Sequence, residues 1–281
     1  MNFFRLLFYK NLNLVNYLVI FFFFVYSILI TRYQYDGHHL GLIYSNSLDL
    51  INGKLPYKEI FIQYGILTTI INSFILLIFD NKIFFITLFN SIFYSVGVLF
   101  ISLTIKKFTN INLALLSTVL ILFNHPIPWL PWSNYIVFFF TSIGLFLLSN
   151  NKKNYFFIGF LFGACVLSRQ DFILPLIFSF TIFCILYLIQ NYKLSFKNIS
   201  LSILGFLSPL FLFIIYLHLS NLFGYWVNYL SLPNIYLGIY EISISKLILE
   251  YITFFISESF FLFIVTPQYF LISIILIFNT I

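Results

Sequence analysis

The sequence predicts an all-α fold, a polytopic bundle of about eight or nine transmembrane helices in a single domain over residues 1–281. Of the 281 residues 62% are apolar and only 8% are charged, whereas soluble domains have about 25% charged residues. Several apolar runs also approach the roughly 20 residues that a membrane-crossing helix needs. This composition excludes a soluble enzyme, a disulfide-stapled secreted domain and a nucleic-acid partner. The formal net charge of +6 is better explained by lysines that face the cytoplasm.

The first predicted span is residues 14–30, preceded by Arg5 and Lys10. No small-residue cleavage site follows it, so we expect an uncleaved span that begins in the cytoplasm. The next spans are predicted at the later apolar runs, which cover 83–105, 111–123, 135–148, 155–167, 172–189 and 199–217. Residues 250–278 contain one or two more, because Thr266-Pro267-Gln268 interrupts that region.

The segment 64–79 is apolar but short, and the distribution of basic residues decides whether it crosses the membrane. If it does not cross, eight basic residues share one side: Arg5, Lys10, Lys106, Lys107, Lys152, Lys153, Lys193 and Lys197. If it crosses, the last six move to the opposite side from the first two. The positive-inside rule therefore favours a segment that does not cross. Residues 31–82 then form one long outer loop that touches the membrane.

Within this loop, a helix is predicted from apolar residues at helical spacing, namely Leu40, Ile43, Tyr44, Leu48 and Ile51. Its opposite face is polar, with Ser45, Asn46, Asp49 and Asn52. Gly53 fits the position after the helix end, and Pro56 follows shortly beyond it. We expect this amphipathic helix to lie in the membrane interface.

The same loop contains the first candidate site residues. Asp36 lies six residues past the first predicted span, at the outer headgroup level, where its carboxylate can act as a general base. The alternative is that charged residues simply collect in the longest loop. His38 and His39 are adjacent, a spacing that disfavours a shared metal ion. We therefore expect interfacial or substrate contacts and no cofactor, with a divalent metal left as the less favoured alternative.

The second candidate is Ser168-Arg169-Gln170-Asp171, which separates two apolar runs with almost no loop. Charges so close to the hydrocarbon are costly, and they are usually functional or paired. In the favoured topology Arg169 faces outward, against the positive-inside preference, which suits a residue that holds a phosphate group. The alternative is an Arg169–Asp171 pair that only ends two helices.

Together these stretches resemble GT-C type membrane glycosyltransferases, the relatives of protein O-mannosyltransferases and of the lipid A aminoarabinose transferase. The resemblance is best over residues 14–175. It rests on the stretches Asp36-Gly37-His38-His39, Lys54-Leu55-Pro56-Tyr57-Lys58-Glu59-Ile60-Phe61, Tyr64-Gly65-Ile66-Leu67-Thr68 and Gly159-Phe160-Leu161-Phe162-Gly163, and on the order in which they precede Ser168-Arg169-Gln170-Asp171. The chain departs from the family at Ile66, where a proline is usual. Its loop 124–134 also lacks an acidic residue, for which Asn134 or His125 would substitute. The chain is short for this superfamily.

The resemblance implies transfer of a sugar from a polyprenyl-phosphate donor, on the outer face of a bacterial cytoplasmic membrane, to an acceptor that the sequence does not identify. Asp36 would be the general base of an inverting reaction, and Arg169 would stabilise the phosphate leaving group, with Lys54 or Lys58 as substitutes. The substrate-binding residues implied are His38, His39, Lys54, Tyr57, Lys58, Glu59, Tyr64, Arg169, Gln170 and Asp171.

Two other functions remain open. A flippase or transporter for a lipid-linked sugar would place charged residues inside the spans, but the predicted spans between residues 83 and 167 contain none. A non-catalytic membrane subunit of a surface-polysaccharide pathway would make no demand on Asp36.

Overall fold

A computed structural model describes residues 2–31, 39–124, 133–150, 154–173, 176–177 and 196–230. These residues form nine α-helices and one short 3-10 turn, Gln170–Phe172. The helices are α1 (Asn2–Thr31), α2 (His39–Ile51), α3 (Ile66–Ile78), α4 (Ile83–Phe108), α5 (Ile111–Asn124), α6 (Ser133–Leu148), α7 (Tyr155–Ser168), α8 (Phe196–Leu219) and α9 (Phe223–Leu230). Helices α1 to α8 belong to one compact unit, residues 1–222, and α9 belongs to a second, residues 223–281.

Three helices are long and apolar enough to cross a membrane: Leu12–Leu29 within α1, the whole of α4 and the whole of α8. Helices α5, α6 and α7 are shorter and also apolar, and they coincide with the predicted runs 111–123, 135–148 and 155–167. The all-α class is therefore confirmed for the described residues, and the three long apolar helices indicate a multi-pass membrane protein. The number of spans stays a prediction, because most of run 172–189 and everything after residue 230 lie outside the described residues.

Two lysines at the end of α4 show which helix ends lie together. Lys106 Nζ donates to Asn13 Oδ1 at 2.7 Å, and Lys107 Nζ donates to the side chain of Asn150, just after α6. The start of the candidate span within α1, the end of α4 and the end of α6 therefore meet at one end of the bundle, which we call the lysine end. This grouping agrees with the predicted common side of Arg5, Lys10 and the lysines of α4.

Aromatic contacts show that α4 and α6 run in the same direction. Tyr94 packs edge-on against Tyr135 at 5.4 Å between ring centroids, and Phe100 lies 5.1 Å from Phe146 further along both helices. Helix α4 begins eleven residues before Tyr94, whereas α6 begins only two residues before Tyr135. The start of α4 therefore extends about 14 Å beyond the first residue of α6. The neighbours of this extension are α2 and α3.

The predicted helix at residues 40–51 is confirmed as α2, and Gly53 ends it as expected. Gly53 has φ +82°, and the Lys54 and Gly53 N–H groups bond back to the Asp49 and Leu50 carbonyls at 3.0 and 3.1 Å, a Schellman motif. Leu40 and Ile43 of its apolar face are buried in one cluster with Leu76 of α3 and Ile86 of α4, so protein covers this part of the face. The location of α2 in the membrane interface stays a prediction.

Helices α7 and α8 approach so closely that their backbones touch at glycines. A Cβ added at Gly159 would lie 2.0 Å from the Ser202 carbonyl oxygen, and one added at Gly205 would lie 1.9 Å from that of Phe156. Gly159 and Gly163 are four residues apart, the small-residue spacing that brings membrane helices together. This contact with α8 sets the orientation of α7 in the bundle. Helix α7 ends at Ser168.

Candidate functional site

The end of α7 meets the beginning of α3. Thr68 Oγ1 donates to the Ser168 carbonyl oxygen at 2.9 Å, across 100 residues of sequence. Gly65 lies against the same turn, and a Cβ added there would be 2.2 Å from the Leu167 carbonyl oxygen and 2.6 Å from that of Ser168. Two stretches that the sequence singled out separately, residues 64–68 and 168–171, are therefore in contact.

Arg169 is the cation at this contact. It follows α7 in an extended conformation, and its side chain is half-buried. One guanidinium nitrogen, Nη1, donates to the side chain of Asn134 at the start of α6. The guanidinium carbon lies 5.8 Å from the ring centroid of Tyr64, within the distance of a cation–π interaction. Asn134 of α6 and Tyr64 therefore both contact the guanidinium group and help to orient it.

Gln170 and Tyr57 extend the same site. Gln170 Nε2 lies 3.5 Å from the Tyr57 hydroxyl oxygen, and the Tyr57 ring lies 6.2 Å from that of Phe213 in α8. Tyr57 has φ +65°, a left-handed conformation that costs about 1–2 kcal/mol for a residue with a side chain. The bond from its N–H to the Ile60 carbonyl at 3.0 Å holds this conformation. Backbone strain of this kind is concentrated at functional sites.

The charged side chains of the turn before this site make local contacts. Lys54 Nζ lies 2.7 Å from Asp49 Oδ1, and Glu59 Oε2 accepts the Leu55 N–H at 2.7 Å. Lys58 is exposed. Lys54 and Glu59 thus fasten the turn that follows α2, whereas Tyr57, Tyr64, Arg169 and Gln170 are the predicted site residues that the structure brings together.

The remaining predicted residues have no described side chain. Asp36 and His38 lie outside the described residues, as does His125. His39 is described only as the first residue of α2, and Asp171 only as part of the 3-10 turn. Over the part of the chain that the structure describes, no three His, Cys, Asp or Glu side chains group closely enough to hold a metal ion.

Three buried polar side chains were not predicted, and two of them, those of Asn72 and Ser133, are close in sequence to residues of this site. Asn72 and Ser133 are completely buried and Asn90 is 1% exposed. Asn72 lies one turn after Thr68, and Ser133 directly precedes Asn134. Within the described ranges, both amide atoms of Asn72, the Asn90 Oδ1 and the Ser133 Oγ have no hydrogen-bond partner. The spacing of Thr68 and Asn72, four residues apart on one helix, is the signal that places them on one face.

We expect Asn72→Leu to raise the thermal unfolding temperature of the purified protein. Leucine is similar in shape to asparagine, and it removes a buried amide whose missing bonds cost about 1–3 kcal/mol. At this chain length each kcal/mol corresponds to about 2–4 °C. The matched control is Ser73→Ala on the same helix, because the Ser73 hydroxyl lies 3.0 Å from the Ser47 carbonyl and 2.8 Å from that of Thr69. Ser73→Ala should lower the unfolding temperature. A comparable fall in the unfolding temperature of Asn72→Leu would contradict the assignment of Asn72 as a buried amide without hydrogen-bond partners.

No family model, curated protein or solved structure matches this chain. The described residues form an all-α fold whose three long apolar helices indicate a multi-pass membrane protein, with a half-buried arginine where α3, α6 and α7 meet.

Proposed function

We propose that this protein is a membrane glycosyltransferase that moves a sugar from a polyprenyl-phosphate carrier to a hydroxyl group of an acceptor. The observation that supports this function most is the contact between residues 64–68 and Arg169. These two stretches are separated by 100 residues, and both belong to the resemblance to GT-C type enzymes. If the resemblance of these two short stretches to GT-C type enzymes were accidental, we would have no reason to expect them in contact.

Arg169 suits the part of the reaction in which the phosphate leaves. As the bond from the anomeric carbon to the phosphate oxygen breaks, negative charge grows on the lipid phosphate. A cation fixed beforehand stabilises that charge without reorganising, and a guanidinium group matches the oxygens of a phosphate in two parallel bonds. Asn134 and Tyr64 provide the fixed position, since both contact the guanidinium group.

Asp36 supplies the complementary chemistry in this proposal. Its carboxylate takes the proton of the acceptor hydroxyl while the hydroxyl oxygen attacks the anomeric carbon from the side opposite the phosphate. The new carbon–oxygen bond forms as the old one breaks, so the configuration inverts and the carrier leaves as a polyprenyl phosphate. A positioned general base of this kind contributes about 10²–10⁴-fold to the rate.

The position of the site along the bundle supports an outer-face reaction. Asn134, which contacts Arg169, begins α6, whereas Asn150, which contacts Lys107, follows its end. The 16 residues of α6 separate these contacts by about 24 Å. Because basic residues collect on the cytoplasmic side, the lysine end is assigned to the cytoplasm and Arg169 to the outside of a bacterial cytoplasmic membrane.

We expect Asp36→Asn to reduce sugar transfer at least about 100-fold in membranes supplied with labelled polyprenyl-phosphate sugars. The matched control is Asp49→Asn, the same chemical change in the same predicted outer loop, at a carboxylate that pairs with Lys54. It should retain activity within a few fold. Equal activity in wild type and Asp36→Asn would remove Asp36 from the mechanism. An inactive wild type that moves the donor between leaflets would instead favour the flippase.

A further inference from the structure

Helix α3 buries all of its polar side chains, together with Ile66, Ile75 and Leu76, and its exposed side chains are all apolar. The buried polar residues are Thr68, Thr69, Asn72 and Ser73, none more than 7% exposed. The exposed face, which we call the α3 face, consists of Ile70, Phe74, Leu77 and Ile78, with 46%, 63%, 64% and 54% exposure. A helix on a protein surface in water has the opposite arrangement.

The helix that follows α3 in the chain is long enough to cross a membrane and also exposes an aromatic side chain in its first turn. Phe84, in the first turn of α4, is 37% exposed, and α4 is one of the three candidate spans. The 13 residues of α3 extend about 20 Å, less than the roughly 30 Å of the hydrocarbon core. An exposed polar turn, Asp80 to Lys82, separates α3 from α4.

We propose that the α3 face is embedded in the acyl chains of the bilayer, so that α3 is a membrane-embedded helix that does not cross. The polar side chains of the opposite face are then directed into the protein, where Thr68 and Ser73 find carbonyl partners on Ser168 and Ser47. Two observations favour acyl chains as the partner: all the polar side chains of α3 are buried while its exposed ones are apolar, and the next helix in the chain, the candidate span α4, also exposes Phe84.

This assignment has a structural consequence for the site. Helix α3 begins at Ile66, immediately after Gly65 and next to Ser168. A helix anchored in lipid by its exposed face therefore fixes the depth at which Arg169 lies. In this proposal α3 contributes to the membrane contact that the sequence predicts for the loop 31–82. The inference does not depend on the proposed function, because it concerns only the environment of α3.

Site-directed spin labelling tests the environment directly. A nitroxide attached to Phe74→Cys, in full-length protein with Cys165→Ala and Cys184→Ala, is reconstituted into phosphatidylcholine vesicles. Collisions with oxygen report hydrocarbon, and collisions with a water-soluble nickel chelate report water. We expect oxygen to dominate at position 74 and the nickel chelate to dominate at the control Asn52→Cys, an exposed position just after α2. A second label at Leu77→Cys should repeat the result of position 74.

Two results would overturn the proposal. Nickel accessibility at positions 74 and 77 equal to that at position 52 would place the α3 face in water. Spin–spin broadening at position 74 that disappears on dilution with unlabelled protein would show that a second copy of the chain covers it. Neither result bears on sugar transfer, so this proposal and the proposed function can fail independently.

Discussion

Arg169→Met is expected to lower kcat/KM for sugar transfer about 10²–10³-fold, the usual effect of removing one group that stabilises developing negative charge. Methionine preserves much of the apolar stem and removes the guanidinium group that contacts Asn134 and Tyr64. The measurement is initial-rate kinetics on purified, reconstituted protein with a labelled polyprenyl-phosphate sugar. The effect should appear mainly in kcat, because the charge to be stabilised grows in the transition state.

The matched variant is Arg169→Lys, which keeps the positive charge and loses the planar fork. Its activity should lie between those of wild type and Arg169→Met. If Arg169 only ended α7 through a pair with Asp171, both variants would lower the unfolding temperature and leave kcat near the wild-type value. That outcome would contradict the assignment of Arg169 to the phosphate.

Gly65→Ala is expected to have the largest effect on the structure of the site. The added methyl group would lie 2.2 Å from the Leu167 carbonyl oxygen and 2.6 Å from that of Ser168, and neither backbone atom can rotate away. Overpacking typically costs about 1–3 kcal/mol. Separation of α3 from α7 would also displace Tyr64 from Arg169, so we expect both a lower unfolding temperature and near-complete loss of transfer.

Two controls separate this effect from a general intolerance of substitution. Gly224→Ala adds the same methyl group where nothing lies within 4 Å, and it should leave stability unchanged or slightly higher. Thr68→Val removes only the bond to the Ser168 carbonyl and should cost about 1 kcal/mol. Wild-type stability and activity in Gly65→Ala would show that α3 and α7 do not touch at this position.

The sequence predicted the elements of this fold better than their environments. Periodicity is a local property, so the α2 helix and its Gly53 end follow directly from residues 40–53. The partner of an apolar face is a tertiary property. An amphipathic pattern is the same whether lipid or protein covers it, so the pattern of α2 alone does not show that α3 and α4 cover Leu40 and Ile43.

The site was predictable only in part, because a sequence pattern singles out unusual residues but does not show their tertiary contacts. Charges in an apolar context singled out the stretch 168–171, which contains Arg169 and Gln170. The resemblance added Tyr57 and Tyr64, and these four residues meet in the structure. Lys54 and Glu59 looked equally suitable, but turns attract charged residues that satisfy nearby backbone and side-chain groups. Their partners, Asp49 and the Leu55 N–H, are four or five residues away. Asn72 was missed because a polar residue in an apolar run does not show which face is buried.

The most direct test of the proposed function is conversion of the donor by purified protein in detergent micelles, where there are no leaflets to cross. Wild-type protein, a polyprenyl-phosphate sugar with a labelled lipid and a panel of acceptors are incubated, and free polyprenyl phosphate is measured. The proposed function predicts acceptor-dependent release of polyprenyl phosphate by wild type and at least about 100-fold less by Asp36→Asn. No release by folded wild type, from a preparation that does move the donor between leaflets of vesicles, would contradict it.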